Sequence, residues 1–429
     1  MKKAFRDAYE RELDILYERS AEFAQEFPGL ADRLGGVLRE NIDPTVAGLL
    51  EGAAFLAARV QLKLDEEFRG FTRELLEQIF PEALAPFPSC IVVEAPPPMV
   101  PAPGDRPRSH PRGAYLDARF RDADKRVSCR FRLTSALTLL PLRIARLAYH
   151  DRTTTLGGLG QDPDPRTRAG IVLDLATTDG RPVQAMGAGE IELRLTGDMA
   201  RALMLYEQFH CNVTRLSLRW LQPNGDPAFL RLSPDQLVPI GFDRDEMLLD
   251  RSTALFDGFV HLQEVFAFPR KFLGLRIEGL RDALAALPVT EMQLIAEFDR
   301  VSDDLARQLG PRDIRLNCAT AINLFEESSN QIRLDDRRHD YVVTPDSSPL
   351  THYEVQKILR VDASYGTAAD RVEVSPLYAL PQEPGSQRAG YYYTMRRRPR
   401  RLTDHERRSG ARPEDRKSTR LNSSHPSIS

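Results

Sequence analysis

Apolar side chains recur at three- and four-residue steps from the start of the chain. Phe5, Tyr9, Leu13, Leu16, Phe23 and Phe27 fall on one stripe with Ser20, while Glu10, Arg11, Glu12, Asp14, Glu18 and Arg19 lie mostly off it. That period predicts an amphipathic helix, stopped by Pro28 and Gly29. A second helix is expected from Asp43-Pro44, where a carboxylate can cap the first free N–H groups and proline fits the first helical position. Its apolar set, Val46, Leu49, Leu50, Ala53, Leu56, Ala57, Val60 and Leu64, is wide enough to be packed on more than one side. A third, short helix is expected around Phe71–Phe80, ended by Pro81, with Pro86 and Pro88 marking a boundary.

From Ser89 the period shortens. Cys90–Val93 reads as a short buried strand, followed by a proline-rich connection (Pro96 to Pro111) that suits neither helix nor inner strand. Strand-like runs follow at Val127–Leu133, Leu137–Leu147, Gly170–Leu175, Glu190–Leu195 and Val213–Trp220, with Pro141 predicting a bulge or an edge. One helix interrupts them at Asp198–His210, its expected apolar face being Met199, Leu203, Tyr206 and Phe209. Further strands are expected at Met292–Phe298, Ile314–Leu316, Tyr341–Val343, Tyr353–Ile358 and Tyr391–Met395. Strands without regular strand–helix alternation predict antiparallel sandwich-like domains.

The fold class expected is therefore α+β: a helical region over 1–88, a first β-rich domain with one inserted helix over 89–284, and a second over 285–410. Residues 411–429 are expected to lack order, and the basic stretch from Arg396 onward to carry too few apolar side chains to fold by itself. The segment holding Phe256, Phe259, Phe266, Phe268 and Phe272 reads as core. The alternation of Val265/Ala267 with Phe266/Phe268 suits a strand covered on both faces.

Composition narrows the function classes. The chain has 429 residues, 41% hydrophobic and 28% charged, with net charge −3, which suits two or three globular domains and gives no global basic field for nucleic acid. The four cysteines, Cys90, Cys129, Cys211 and Cys318, form no C-x-x-C pair, so reduced thiols are expected. Charge is dense from Phe5 onward where a signal peptide would be apolar, and no window reads as a membrane span. Direct membrane insertion is therefore not expected, and the location expected is cytoplasmic.

Chemistry is sparse. There is no H-E-x-x-H pair, and His210-Cys211 stands as an isolated dyad, so no metal site is expected. Leu156-Gly157-Gly158-Leu159-Gly160 has no Lys-Ser/Thr and no helix after it, and reads as a loop instead of a phosphate cradle. No G-x-S-x-G elbow is present. Asp335-Asp336 and Glu326-Glu327 could supply the two carboxylates of a β-sandwich carbohydrate-active enzyme, but 62 acidic residues make such pairs common by chance. The cluster Arg396, Arg397, Arg398, Arg400, Arg401, Arg407 and Arg408 reads as a solvated tail or a partner-facing segment before it reads as a nucleic-acid site. No catalytic residue, cofactor or metal is assigned.

Three segments together resemble one family. The first is Tyr9-Glu10-Arg11-Glu12-Leu13, then Ala21–Pro28, Asp43-Pro44, Leu49–Asp65 and Phe80-Pro81. The second is Gly241-Phe242 with Glu246, Leu248 and Leu249, then Leu262–Pro269 (LQEVFAFP, including Glu264, Phe266 and Phe268) and Lys271-Phe272. The third is Leu316-Asn317-Cys318 with Asn323-Leu324-Phe325-Glu326, Tyr341 and Tyr353-Glu354-Val355. In order and spacing they resemble the TssF family (also VasA or ImpG) of the type VI secretion baseplate, with Val265 where the family form has tyrosine. The resemblance runs from about residue 5 to about 410; family members continue further, and Asp415–Ser429 reads as a foreign tail replacing a last domain.

The resemblance implies a non-enzymatic wedge subunit assembling with TssG-like, TssK-like and TssE-like subunits and a second copy of itself. Contacts to spike and sheath are also implied, at an apparatus docked on the inner membrane, with no role for nucleic acid. The stripe of Phe5, Tyr9, Leu13, Leu16 and Phe23 reads either as intramolecular core or as a partner contact. The resemblance, which implies a bundle of helices between wedge subunits, brings the second forward beside the first. A wedge protein of a contractile phage or phage-tail-like particle is the alternative that shares the same physics.

Overall fold

The computed structural model of the chain describes residues 3–33, 43–79, 84–100, 107–118, 129–249, 256–335, 338, 340–346, 353–364, 371–377, 391–399 and 417–424. Two compact units emerge: Met1–Ala85 with Leu334–Val342 and Lys357–Ser429, and Pro86–Arg333 with Val343–Gln356.

The first unit opens on three helices, α1 (Lys3–Glu26), α2 (Pro28–Arg33) and α3 (Pro44–Ile79). Pro28 ends α1 as expected but also starts α2, because proline is as well suited to a first helical turn as it is unsuited to an interior. The Asp43 cap is present: its Oδ1 accepts the Thr45 N–H at 2.7 Å, and hydrogen bonds from the Thr45 hydroxyl and then its amide hold the carboxyl below its ordinary range. The two helices expected over 43–80 are one. Gly70 has open space around it and does not break the run, so α3 extends 36 residues, about 54 Å at 1.5 Å per residue. Against the expectation of no membrane-length stretch, Pro44–Glu77 is long and apolar enough to cross a membrane by length and composition alone.

The second unit holds the main core. Its first sheet runs in the order β1–β15–β4–β3, from β1 (Cys90–Glu94), β3 (Tyr115–Asp117), β4 (Arg130–Leu133) and β15 (Cys318–Ile322). β2 (Arg108–His110) pairs separately with β5 (Leu137–Leu139). A five-stranded sheet follows, order β10–β9–β13–β7–β6: β6 is Leu142–His150, β7 Ala169–Thr177, β9 Val213–Leu221, β10 Pro227–Leu232 and β13 Glu291–Phe298. A four-stranded sheet, order β11–β12–β8–β14, uses β8 (Ile191–Leu195), β11 (Leu237–Pro239), β12 (Gly274–Ile277) and β14 (Ile314–Arg315). All these pairings are antiparallel.

Leu173 and Leu175 of β7, Leu216 and Leu218 of β9, and Ile191, Leu193, Leu275 and Ile277 of the smaller sheet meet in one apolar cluster. Full burial of each such side chain contributes on the order of 1.5–3 kcal/mol. The β7 strand is covered on its other face too, by Leu156 against Val172 and Ile295. Leu156 belongs to a short helix, α4 (Thr153–Gly157), where the sequence predicts a loop; it ends on the first of the glycines instead of starting after them, so no helix N-terminus backs them. Pro141 separates β5 from β6, splitting the expected single strand.

Three further corrections concern this unit. The boundary expected at 284/285 falls inside it, because β13 lies between β7 and β9, pairing with both. The helix α5 (Met199–Cys211) buries Ala202, Leu205 and Phe209 and leaves Leu203 exposed, a face rotated from the expected one. Residues 353–360 form no strand.

The segment expected as a buried strand is helix α6 (Asp257–Ala267), with most of its apolar side chains outside. Two short helices complete the unit, α7 (Arg281–Ala285) and α8 (Asp303–Gln308). All four cysteines are free, and burial pushes the Cys90 and Cys318 thiols up to about 12.

The remaining strands belong to the first unit: β16 (Tyr341–Val342), β17 (Val361–Ser364), β18 (Arg371–Pro376), β19 (Tyr392–Pro399) and β20 (Lys417–Ser424), in the order β16–β20–β19–β18–β17. The pairing of β18 with β19 is parallel; the others are antiparallel. The loss of order expected from Arg396 does not hold for 396–399 and 417–424, which pair in this sheet. A strand needs a partner edge more than its own apolar content. Arg397 is buried, and its carbonyl accepts from the Arg73 guanidinium of α3. Arg400, Arg401, Arg407 and Arg408 lie outside the described residues.

Candidate functional site

No group of three or more His, Cys, Asp or Glu able to hold a metal occurs among the described residues. A cavity of about 290 Å³ is walled by Arg112, Arg132 and Met247, and among the described residues its lining includes no carboxylate, thiol or imidazole. Glu326 and Glu327 are exposed; Asp336 lies outside the described residues. The features with functional shape are two apolar surfaces and a buried ionic framework.

The larger surface is on α3. Ala54 and Ala58 are fully buried, and Phe55 meets Phe5 of α1 edge to face at 5.2 Å. Small alanines let the two helices approach closely, so this side of α3 is spent on α1. Elsewhere on α3, Leu49, Leu56, Val60, Leu64, Phe68, Phe71 and Leu75 are exposed, Leu49 and Phe68 to 70%. Their steps of seven, four, four, four, three and four residues keep them on one side of the helix, the spacing of a seam awaiting another helix. The residues expected to contact partners divide. Phe5, Tyr9, Leu13 and Leu16 are half-buried in α1, and Phe23 is exposed and stacked near Phe27 at 5.4 Å. Sequence reasoning stopped the apolar set of α3 at Leu64 and missed Phe68 and Phe71, because it placed a helix break between them.

The second surface is α6. Phe256, Phe259, Leu262 and Phe266 are exposed, Phe266 to 82%. Phe242 is exposed as well, packing on Phe272 at 4.9 Å and near His261 at 6.0 Å. Phe268 caps the helix end, its N–H bonded to the Glu264 carbonyl at 2.7 Å, and Pro269 starts the short 3-10 turn to Phe272.

Beneath α6 the motif residues converge. Gly241 adopts φ +92°, and a Cβ there would stand 3.0 Å from both the Lys271 carbonyl oxygen and the Phe272 ring, so glycine alone fits. Its N–H donates to Glu246 Oε2 at 2.6 Å, and Glu246 Oε1 accepts from Arg276 Nη2 at 2.5 Å. Glu264 Oε1 accepts the Leu248 N–H at 2.7 Å, and its other oxygen pairs with Lys271 Nζ, both side chains about 1% exposed.

The Lys271 carbonyl accepts from Arg194 Nη1 at 2.8 Å, and Arg194 Nε reaches Glu192 Oε1 at 2.9 Å. Burial holds the Lys271 ammonium below its ordinary pKa although Glu264 opposes it. At Arg276 burial is outweighed by the carboxylates of Glu246, Glu192 and Glu190, which raise it. Lys271, Arg194 and Arg276 carry this framework, and sequence reasoning gave none of them a role there; two acidic residues in a segment that must fold inward were the available signal.

In the third motif segment, Cys318 opens β15 and Asn323–Phe325 follow it at the end of the β1–β15–β4–β3 sheet, whereas Tyr341 lies in β16 of the first unit. The Asn323 N–H bonds the Ser89 carbonyl at 2.8 Å and its side chain reaches the Arg130 carbonyl at 2.7 Å; Leu324 follows with a bond to Ile322. Phe325 meets Tyr353 edge to face at 6.1 Å. These residues close β1, β4 and β15 together and present no reactive group.

A family model described as "Type VI secretion system, TssF" matches residues 1–424. The chain is 34% identical over 409 residues to the type VI secretion system component TssF1 of Pseudomonas aeruginosa, covering 94% of this chain. It spans 64% of the length of that relative. In fold it is similar to a chain of the TssK-TssF-TssG baseplate subcomplex solved by cryo-electron microscopy, with a TM-score of 0.65 and 21% identity. That match covers 88% of this chain and 65% of the other. With a family model running from the first residue to Ser424 and a one-third-identical relative aligned along nearly all of it, the chain belongs to the TssF family of the type VI secretion system.

Proposed function

We propose that the protein is a structural, non-enzymatic subunit of the secretion baseplate that assembles with TssG-like and TssK-like partners through helical packing. The observation that carries the reading is the α3 seam: seven large apolar side chains stay in contact with water while the opposite alanines are consumed by α1. A contiguous exposed patch of this kind marks an interaction surface. An amphipathic helix with anchors at these steps is read by another helix laid along it.

Partner helices fit the seam better than a bilayer does. Glu51, Arg59, Lys63, Asp65, Glu66, Glu67 and Arg69 interleave with it along α3, and a charged side chain at bilayer depth is costly. Contacts to a TssE-like subunit, a second copy, the spike and the sheath extend the same reading. So does work on the cytoplasmic side of a membrane-docked apparatus. The function is mechanical: interfaces hold a ring in one geometry and release it into another. Co-expression with the neighbouring TssG-like and TssK-like gene products, followed by affinity purification, tests this. Recovery of a stable complex is expected, and recovery of the protein as a lone monomer sinks the assignment.

A further inference from the structure

Helix α6 is inside out. The residues it turns inward are Asp257, Val260, His261 and Glu264, while Phe259, Leu262, Val265 and Phe266 stand in solvent. Apolar burial alone favours the opposite setting, with the helix rolled about its axis so that the phenylalanines face the protein. Something other than the hydrophobic effect therefore sets its rotation. Its most deeply buried attachment is Glu264, which accepts the Leu248 N–H at 2.7 Å and pairs with Lys271 at a site closed to water, whereas Asp257 pairs at 3.0 Å with an exposed Arg244. Lys271 is in turn fixed, its carbonyl held by Arg194 and its ammonium 4.8 Å from the Phe272 ring centroid.

We infer that the Glu264–Lys271 pair is an orientation device: it selects the rotational setting of α6 that shows the phenylalanine face, and does so without adding net stability. Two desolvated charges gain little over apolar side chains of like volume, yet they can meet in only one register. A rolled α6 carries Glu264 out to solvent and leaves the Lys271 ammonium buried without its counter-ion, so that setting is closed while Lys271 stays in place. The inference stands apart from the assembly proposed through α3.

The test is the full chain carrying Glu264→Leu together with Lys271→Met, followed by urea unfolding and by hydroxyl-radical footprinting read by mass spectrometry. The expected result is a cooperative transition at the parent's midpoint or above it, with a severalfold fall in modification of Phe259 and Phe266. A folded variant whose phenylalanines are modified at the parent's rate overturns the inference. The pair Glu264→Gln with Lys271→Met keeps an acceptor for the Leu248 N–H and serves if the first variant does not fold. The same fall is expected of it, and unchanged modification or failure to fold here overturns the inference as well.

Discussion

Lys271 and Glu264 form an ion pair with both side chains about 1% exposed, seven residues apart across the end of α6. A buried charge without its counter-ion is costly, whereas removing both members is close to neutral. Single substitutions are therefore the harsh ones. Glu264→Gln or Lys271→Met alone is expected to lower unfolding free energy by about 3–5 kcal/mol, measured by urea denaturation.

Gly274 in β12 is closed in from two sides. A Cβ there would lie 2.3 Å from Ile240 Cδ1 and 2.8 Å from the Leu193 carbonyl oxygen. The isoleucine tip can shift, but the backbone carbonyl belongs to the paired strand β8 and cannot. Gly274→Ala is expected to destabilise by about 1–3 kcal/mol, the cost of overpacking. Gly52→Ala on α3, with nothing within 4 Å, is the control and is expected to be neutral or stabilising in the same thermal melts.

The α3 seam separates stability from assembly. Leu56→Ser, Phe68→Ser and Phe71→Ser each alter an exposed side chain, so each is expected to move unfolding free energy by no more than about 0.5 kcal/mol. Combined, they are expected to abolish co-purification with a TssG-like subunit. Ala58→Leu acts on the opposite face, where α1 packs, and is expected to show the reverse pattern of a large stability loss.

Burial holds the imidazoles of His150 and His210 below the ordinary value of 6.5. The unfolded chain then binds more protons than the folded one below that value, so stability rises with pH in this window. The contribution is fully present above pH 6.5 and is lost as pH falls through the folded values. Glu190, which burial shifts upward, slopes the other way from its own ordinary value of 4.5. Comparing the parent with His150→Gln/His210→Gln isolates the histidine term: a flatter dependence of the urea midpoint between pH 7 and 5 is expected in the variant.

How much of this was legible depended on whether local chemistry or distant partners decided each element. Asp43-Pro44 and Asp198 announced their helices because a cap is a local device. In the five-stranded sheet β6, β7, β9 and β13 were legible because β-branched and aliphatic runs are bounded by turn residues, whereas the edge strand β10 (Pro227–Leu232) was not expected. The roll of α6 was not legible. Its phenylalanines imitate a core strand, and only Lys271 and the Leu248 amide explain why they face outward. The reach of β19 was hidden for a similar reason, since Arg396–Arg398 carry no strand signal and depend on the neighbouring strands. Asn317 shows the same limit. It holds φ +53° while its amide exchanges two hydrogen bonds with the Leu140 backbone at 2.8 and 2.9 Å, a clasp across 177 positions of chain.

Among the described residues the strand β1 has β15 alone beside it, Cys90 facing Ile322. During synthesis its hydrogen-bonding edge must wait for a partner made much later, roughly 10–50 s at bacterial ribosome speeds. Throughout that interval the nascent chain displays an unsatisfied strand of sequence CIVVE, an invitation to mispairing. The protein's yield in a cell is therefore set partly by what shields that stretch on the ribosome. A chaperone-depleted host, or an mRNA pause between the two strands, is where losses should first appear.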